Sequence, residues 1–159
     1  MFKKIAIAVP VALLAISSSF VSAGEESRSS INISATIPSN IFHAQPRDPN
    51  FGKDEKMAYH LVDGTLSSLR AVYDVKHTGG AVGAYVEGGP QPLFNGSDSI
   101  ALTYTFNGVT LTETSKEVVS AAVALPGTQA ELVIAAAKPT AGNHGQYTAT
   151  PVVVFDAMP

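Results

Sequence analysis

The sequence predicts an all-β fold, an antiparallel β-sandwich, and three observations carry that expectation. Short alternating or β-rich segments recur along the chain, residues that favour turns separate nearly all of them, and no strand–helix–strand alternation demands a parallel sheet. Composition agrees: hydrophobic residues make up 45% and charged residues only 14%, with 13 glycines and 10 prolines, as in a packed, turn-rich domain. The 159 residues are one domain's worth. Ten Lys+Arg against thirteen Asp+Glu, a net charge of −3, argue against a nucleic-acid binder, which needs clustered cations to neutralise phosphates. The absence of cysteine removes disulfide frameworks, thiolate zinc sites and cysteine nucleophiles together.

The first element, residues 1–23, reads as an export signal. Lys3 and Lys4 precede an apolar run from Ile5 to Leu14, and Val21-Ser22-Ala23 offers the small residues a signal peptidase cuts after. Pro10 and the Ser17-Ser18-Ser19 run leave that stretch short of the roughly 20 apolar residues of a membrane span. Removing 23 of 159 residues leaves a mature chain of 136, with 8 basic and 13 acidic residues and a net charge of −5. An exported domain has access to disulfides, so this one holds itself together by other means.

Strand-like segments follow near 30–37, 56–62, 69–76, 81–87, 99–106, 109–114, 129–137 and 146–156. In the first, Ile31, Ile33, Ala35 and Ile37 share one face; a polar leader precedes it, Pro38 ends it, and the proline-broken loop Pro46-Arg-Asp-Pro-Asn50 lies beyond. On pattern alone it is equally an ordinary first strand or a loosely tethered extra one. Ile100 to Phe106, the Asn107-Gly108 dipeptide and Val109 to Thr112 form a hairpin, because Asn-Gly supplies the positive φ angles of a type I′ turn. A two-residue turn pairs Phe106 with Val109 and Tyr104 with Leu111, which puts Leu102, Tyr104, Phe106 and Leu111 on the core face. Thr114-Ser-Lys-Glu117 resembles a capping box, with Val118, Ala121, Ala122 and Leu125 at helical spacing; a strand running on to Val123 fits equally. Leu132 and Ile134 are candidate core residues of the next segment. In the last, Tyr147, Val153 and Phe155 share a face, and Pro151, which cannot donate to a ladder, demands an edge or a bulge.

Three stretches carry a family resemblance: Ile31-Asn-Ile-Ser-Ala-Thr-Ile37, Leu111-Thr-Glu-Thr-Ser-Lys-Glu117 with the Ala-rich run after it, and Glu131-Leu-Val-Ile-Ala-Ala-Ala-Lys-Pro-Thr-Ala-Gly-Asn143. Here the sequence resembles the major pilins of class 5, or alpha-type, chaperone-usher fimbriae, the group of the colonisation factor antigen and cable pilins. The resemblance implies an immunoglobulin-like sandwich that is incomplete and is completed by a donor strand from a neighbouring subunit. Residues 24–38 would be the donor segment, with Ile31, Ile33, Ala35 and Ile37 as its contacts, and 39–159 the incomplete domain, whose core or groove is lined by the residues named above. It further implies identical pilin subunits, a periplasmic chaperone, an outer-membrane usher and a tip adhesin as partners, and passage through the periplasm to a surface fimbrium. Residues 40–98 match only in character, and the loops around Pro126-Gly127 and Asn143-His-Gly145 look shorter than the family's.

No enzyme is expected, and no cofactor or metal. His43, His60, His77 and His144 lack ligand spacing and read as loop or surface residues. Asp48, Asp54 and Glu55 lack the periodicity of a calcium loop, the glycine pairs at 79–80 and 88–89 precede no phosphate-binding helix, and no nucleophile elbow occurs. The rival expectation is a self-contained secreted β-sandwich that binds a glycan or protein, with Ile31 to Ile37 as its own first strand. The absence of tryptophan weakens a sugar-stacking surface.

Overall fold

The structure, a computed structural model, describes residues 28–37 and 41–159. The expected export signal lies outside the described residues. The chain divides into two units, Met1–Thr36 and Ile37–Pro159. In the first, residues 28–36 are exposed and carry no regular secondary structure.

The second unit, among its described residues, contains strands β1 Phe42–Pro46, β2 Tyr59–His60, β3 Thr65–Leu66, β4 Leu69–His77, β5 Ala81–Val86, β6 Leu93–Phe94, β7 Ser99–Ile100, β8 Leu102–Phe106, β9 Val109–Thr110, β10 Lys116–Val119, β11 Thr128–Ala136 and β12 Val153–Met158. One helical turn, α1, spans Ala121–Ala124. The five-stranded sheet has the order β1-β4-β11-β8-β9 and the three-stranded sheet the order β10-β5-β12; β2-β3 and β6-β7 are small hairpins. All pairings are antiparallel.

Period-two alternation builds the core. Ala71, Tyr73 and Val75 of β4, Leu102, Tyr104 and Phe106 of β8, and Ala130, Leu132 and Ile134 of β11 are buried, while Arg70, Thr103 and Glu131 between them are exposed. Leu132 lies opposite Ala71 on one side and Phe106 on the other, and Ile134 opposite Leu69 and Tyr104. A slip of one residue would turn this entire set to solvent. Across from it, Val82, Ala84 and Val86 of β5 are fully buried. The β8–β9 turn has Asn107 at φ 50° and Gly108 at φ 79°, the type I′ signs, with Phe106 opposite Val109 and the Leu111 N–H donating to the Tyr104 carbonyl at 2.9 Å.

The principal strands repeat the immunoglobulin order with one missing. With β1, β4, β5, β8, β11 and β12 as strands A to F, the larger sheet reads A-B-E-D and the smaller contains C-F, as in a constant-type domain. The seventh strand of that architecture, G, would lie beside β12, and the described residues place no strand there.

Several elements depart from expectation. Phe42–Pro46, where the sequence suggests no strand and Pro46 opens the expected loop, is strand β1 against β4, with Phe42 opposite His77 and Pro46 opposite Tyr73. Proline is tolerated because it ends an edge strand, and the Arg47 N–H donates to the Val72 carbonyl at 2.9 Å just past it. The segment 114–125 is both a strand and a helix: β10 carries a bulge between Glu117 and Val119, which buries Val118 and Val119 side by side, and α1 follows. The N-cap of α1 is Ser120, without a side-chain cap bond, so Thr114 and Glu117 do not form a capping box. The stretch 146–156 breaks at its proline. Thr148 exchanges backbone bonds with Phe94, and the strand resumes only at Val153. His77 is buried, 8% exposed, its Nδ1 bonded to the Ala81 carbonyl at 2.9 Å and its ring edge-on to Phe42.

Candidate subunit interface

Among the described residues, strand β12 has a single hydrogen-bonded neighbour, β5, in an unbroken register from Val153 opposite Val86 to Met158 opposite Ala81. The Glu87 N–H donates to the Val152 carbonyl at 2.9 Å, one step before that ladder begins. In an antiparallel pair hydrogen-bonding residues alternate, so the backbone groups of Val152, Val154, Asp156 and Met158 face β5. Those of Val153, Phe155 and Ala157 therefore face the open edge. The same three residues lie opposite Val86, Ala84 and Val82, so their side chains share the inner face. On β5 that face is completely buried, whereas Val153 and Phe155 are only half-buried and Ala157 is exposed. Among the described residues, the strand presents core side chains with one flank uncovered and three backbone positions without partners.

Beneath this edge lies an aromatic cluster. The Phe155 ring packs on Phe106 at 4.8 Å and on Tyr73 at 5.3 Å, Tyr73 meets Phe106 edge-on at 5.5 Å, and Phe51 closes on Tyr73 at 6.4 Å. Such offset and edge-on pairs stabilise by roughly 0.5–1.5 kcal/mol beyond their buried area. Desolvation by burial raises the Tyr73 hydroxyl pKa above the usual tyrosine value and pushes that of Tyr104 up to about 12. The Tyr104 hydroxyl donates to the Gln91 carbonyl at 2.8 Å. The floor is apolar with its phenols neutral, suited to an apolar strand rather than a charged ligand.

On the outer face, Gly83 of β5 has no room for a Cβ, which would collide with the Asp156 carboxylate, the Ser115 hydroxyl and the Met158 side chain. The Ser115 hydroxyl donates to Asp156 Oδ1 at 2.8 Å across that glycine. Gly80 likewise admits the Met158 carbonyl where a Cβ would stand. These two glycines let the end of β12 lie flush against β5 and the residues before it.

Of the residues singled out in sequence, Leu102, Tyr104, Phe106, Leu111, Leu132 and Ile134 are buried together in the core. Asn107 and Gly108 form the exposed hairpin apex, and Asn107 Nδ2 donates to the Val118 carbonyl at 2.7 Å, tying the turn to β10. Val153 and Phe155 stand at the open edge. Tyr147 is half-buried but lies outside β12, and its buried hydroxyl has no partner among the described residues. Ile31, Ile33 and Ile37 are 77%, 87% and 89% exposed, and Ala35 is exposed as well. Sequence reasoning did not single out Tyr73, whose alternation within 69–76 was a usable signal, or Ala157, which lies past the last patterned segment and gave none.

Comparison with known proteins follows this geometry. A family model described as the CS1 type fimbrial major subunit matches residues 27–156. The chain belongs to that family. This CS1-type subunit is therefore a structural pilin, a class of protein that assembles with copies of itself into a fimbrium at the cell surface, and the self-contained binding module is not favoured. Among solved structures, the CooA pilin subunit from enterotoxigenic Escherichia coli is similar at a TM-score of 0.49 and 12% identity, over 71% of this chain and 95% of that one. No curated protein matches the chain.

Proposed function

We propose that this pilin is the repeating shaft subunit of an adhesive fimbria and polymerises by donor-strand complementation. Residues 1–23 direct export, 24–38 are the donor segment, and 39–159 form the incomplete domain that receives a neighbour's donor. The carrying observation is the immunoglobulin order in which, among the described residues, no strand pairs with the outer edge of β12, along which Val153 and Phe155 are half-buried. The exposed Ile31, Ile33 and Ile37 supply the matching apolar face. β-strand addition of this kind, including chaperone–pilin complementation, is a general mode of peptide recognition.

The energetics support the reading. Three isoleucines at roughly 1.5–3 kcal/mol each for full burial contribute about 5–9 kcal/mol before backbone bonds and ordering costs. That is comparable to the stability of a whole domain, about 5–15 kcal/mol. A joint of this size holds subunits together without disulfides. The contact is heterologous and does not close on itself, so its repetition gives a filament.

A subunit exposing such an edge invites aggregation, and a periplasmic chaperone would cover the edge until an outer-membrane usher presents the next donor. A tip adhesin would begin the fibre. The test is assembly of chains carrying Ile33→Asp, or lacking residues 24–37, with chaperone and usher present. Failure to form fibres is expected; normal fibres would show that the donor role is wrong.

A further inference from the structure

We infer that the donor segment of one subunit pairs antiparallel with β12 of the next in the register that sets Ile33 opposite Ala157, Ala35 opposite Phe155 and Ile37 opposite Val153. This rests on the donor-strand reading and adds what that reading leaves open, the partner of each side chain across the joint.

Three observations select the register. Every sheet of the domain is antiparallel, and the backbone groups of Val153, Phe155 and Ala157 face the open edge, so a donor strand is met at these three residues. Directly opposed residues in such a pair point to the same face, so the apolar donor residues must align with these three; a one-residue shift would turn the isoleucines to solvent. Size then separates the remaining choices. Phe155 already fills the centre of the floor, packed on Phe106 at 4.8 Å and on Tyr73 at 5.3 Å, whereas Ala157 is exposed although it faces inward. The smallest donor residue, Ala35, belongs beside the ring, and a large one, Ile33, belongs beside the small, uncovered Ala157.

A two-residue slide in one direction presses Ile33 onto the Phe155 ring and leaves Ala35 against Val153. The opposite slide sets Ala35 against Ala157 and leaves a void there, while Ile37 meets the ring. Overpacking and cavities each destabilise a core, and only the inferred register avoids both.

The cysteine-free chain makes the test direct. Ala157→Cys is combined with one of Ile31→Cys, Ile33→Cys, Ala35→Cys or Ile37→Cys, fibres are assembled with chaperone and usher, and mild oxidation is followed by denaturing gels without reductant. Opposed residues in a hydrogen-bonded antiparallel pair have Cα atoms about 5.5 Å apart, within disulfide range, whereas diagonal neighbours at about 7–8 Å are beyond it. The expected result is a covalent multimer ladder from the Ile33→Cys pair alone. A second pair, Ile37→Cys with Val153→Cys, should give the same ladder and guards against a defect particular to Ala157. A ladder from Ile31→Cys or Ala35→Cys instead overturns the register but leaves the donor role standing. Fibres that form yet cross-link through none of the pairs, or bridges closed within single chains, overturn both.

Discussion

Replacing Ile33 with alanine separates the strength of the joint from the strength of the subunit. Ile33 is 87% exposed in the lone chain, so the substitution removes almost no buried surface there. Exposed substitutions away from caps and special backbone usually change stability by no more than about 0.5 kcal/mol, and the urea midpoint of the dilute monomer should stay within that margin. Under the proposed donor register the same side chain would be buried beside Ala157 in the fibre, and a buried isoleucine cut to alanine costs about 2–5 kcal/mol, transfer and cavity together. At 1.4 kcal/mol per tenfold, that corresponds to dissociation of neighbouring subunits eased by roughly thirty- to several-thousand-fold. The assay is a paired denaturant titration, monomer unfolding by circular dichroism and fibre dissociation by sedimentation, on the same variant. A monomer weakened by 2 kcal/mol or more with fibres unaffected would refute the reasoning, since that pattern belongs to a domain that uses Ile31 to Ile37 as its own first strand.

Other expectations follow from the same geometry. Leu132→Ala, at a site only 2% exposed, should lower domain stability by about 2–5 kcal/mol in a urea titration. Gly83→Val should loosen β12 from β5, because the added side chain meets Asp156, Ser115 and Met158; faster amide exchange at Val154 and Asp156 would report it. Gly108→Val should cost about 1–2 kcal/mol, since φ 79° is strained for a residue with a Cβ. Alkali should also weaken the domain through Tyr104: its hydroxyl ionises in the unfolded chain near pH 10 but in the fold only at about 12. Stability is thus intact below pH 10 and is lost between pH 10 and about 12. Tyr104→Phe should flatten that part of a melting-temperature profile.

The central sheet was legible because alternation and burial coincide there. Leu102 to Phe106 alternates cleanly with its threonines, Glu131 to Ile134 is a β-rich run whose burial alternates, and Asn107-Gly108 announces its own turn chemistry. Strand β1 was hidden because an edge strand buries little: Phe-His-Ala-Gln-Pro alternates apolar and polar residues, but over only five positions with Phe42 itself exposed, and its proline suggests a loop. The bulge in β10 places two valines side by side on the core, a spacing that belongs to neither a regular strand nor a helix, so the segment fitted both imperfectly. His77 looked like a surface residue because its shelter comes from Phe42, a partner 35 positions away on the strand that was not foreseen. At the proposed interface, the isoleucine spacing of 31–37 is visible in the sequence, but the receiving face depends on which strand lies at the end of a sheet. That is a property of topology, and no local pattern around Val153 encodes it.

The treatment of the sheet edges argues that β12 is left open for pairing. Proteins blunt exposed edges with prolines, charges, bulges or very short strands, because an unpaired ladder templates association. Three of the four outer edges of the two main sheets carry such a device. Strand β1 ends in Pro46 with Arg47 directly after it, β9 has two residues, and β10 is broken by its bulge. Strand β12 runs six residues in unbroken register with β5, has no proline within it, and directs its one charge, Asp156, to the outer face, where Ser115 holds it. A monomer selected only for solubility would gain from blunting this edge as well. An edge kept long, regular and uncharged on its inner face, while the other three outer edges of the two main sheets are blunted, is what polymerisation at a single site requires: one main-sheet edge where a foreign strand fits, and three where it fits poorly.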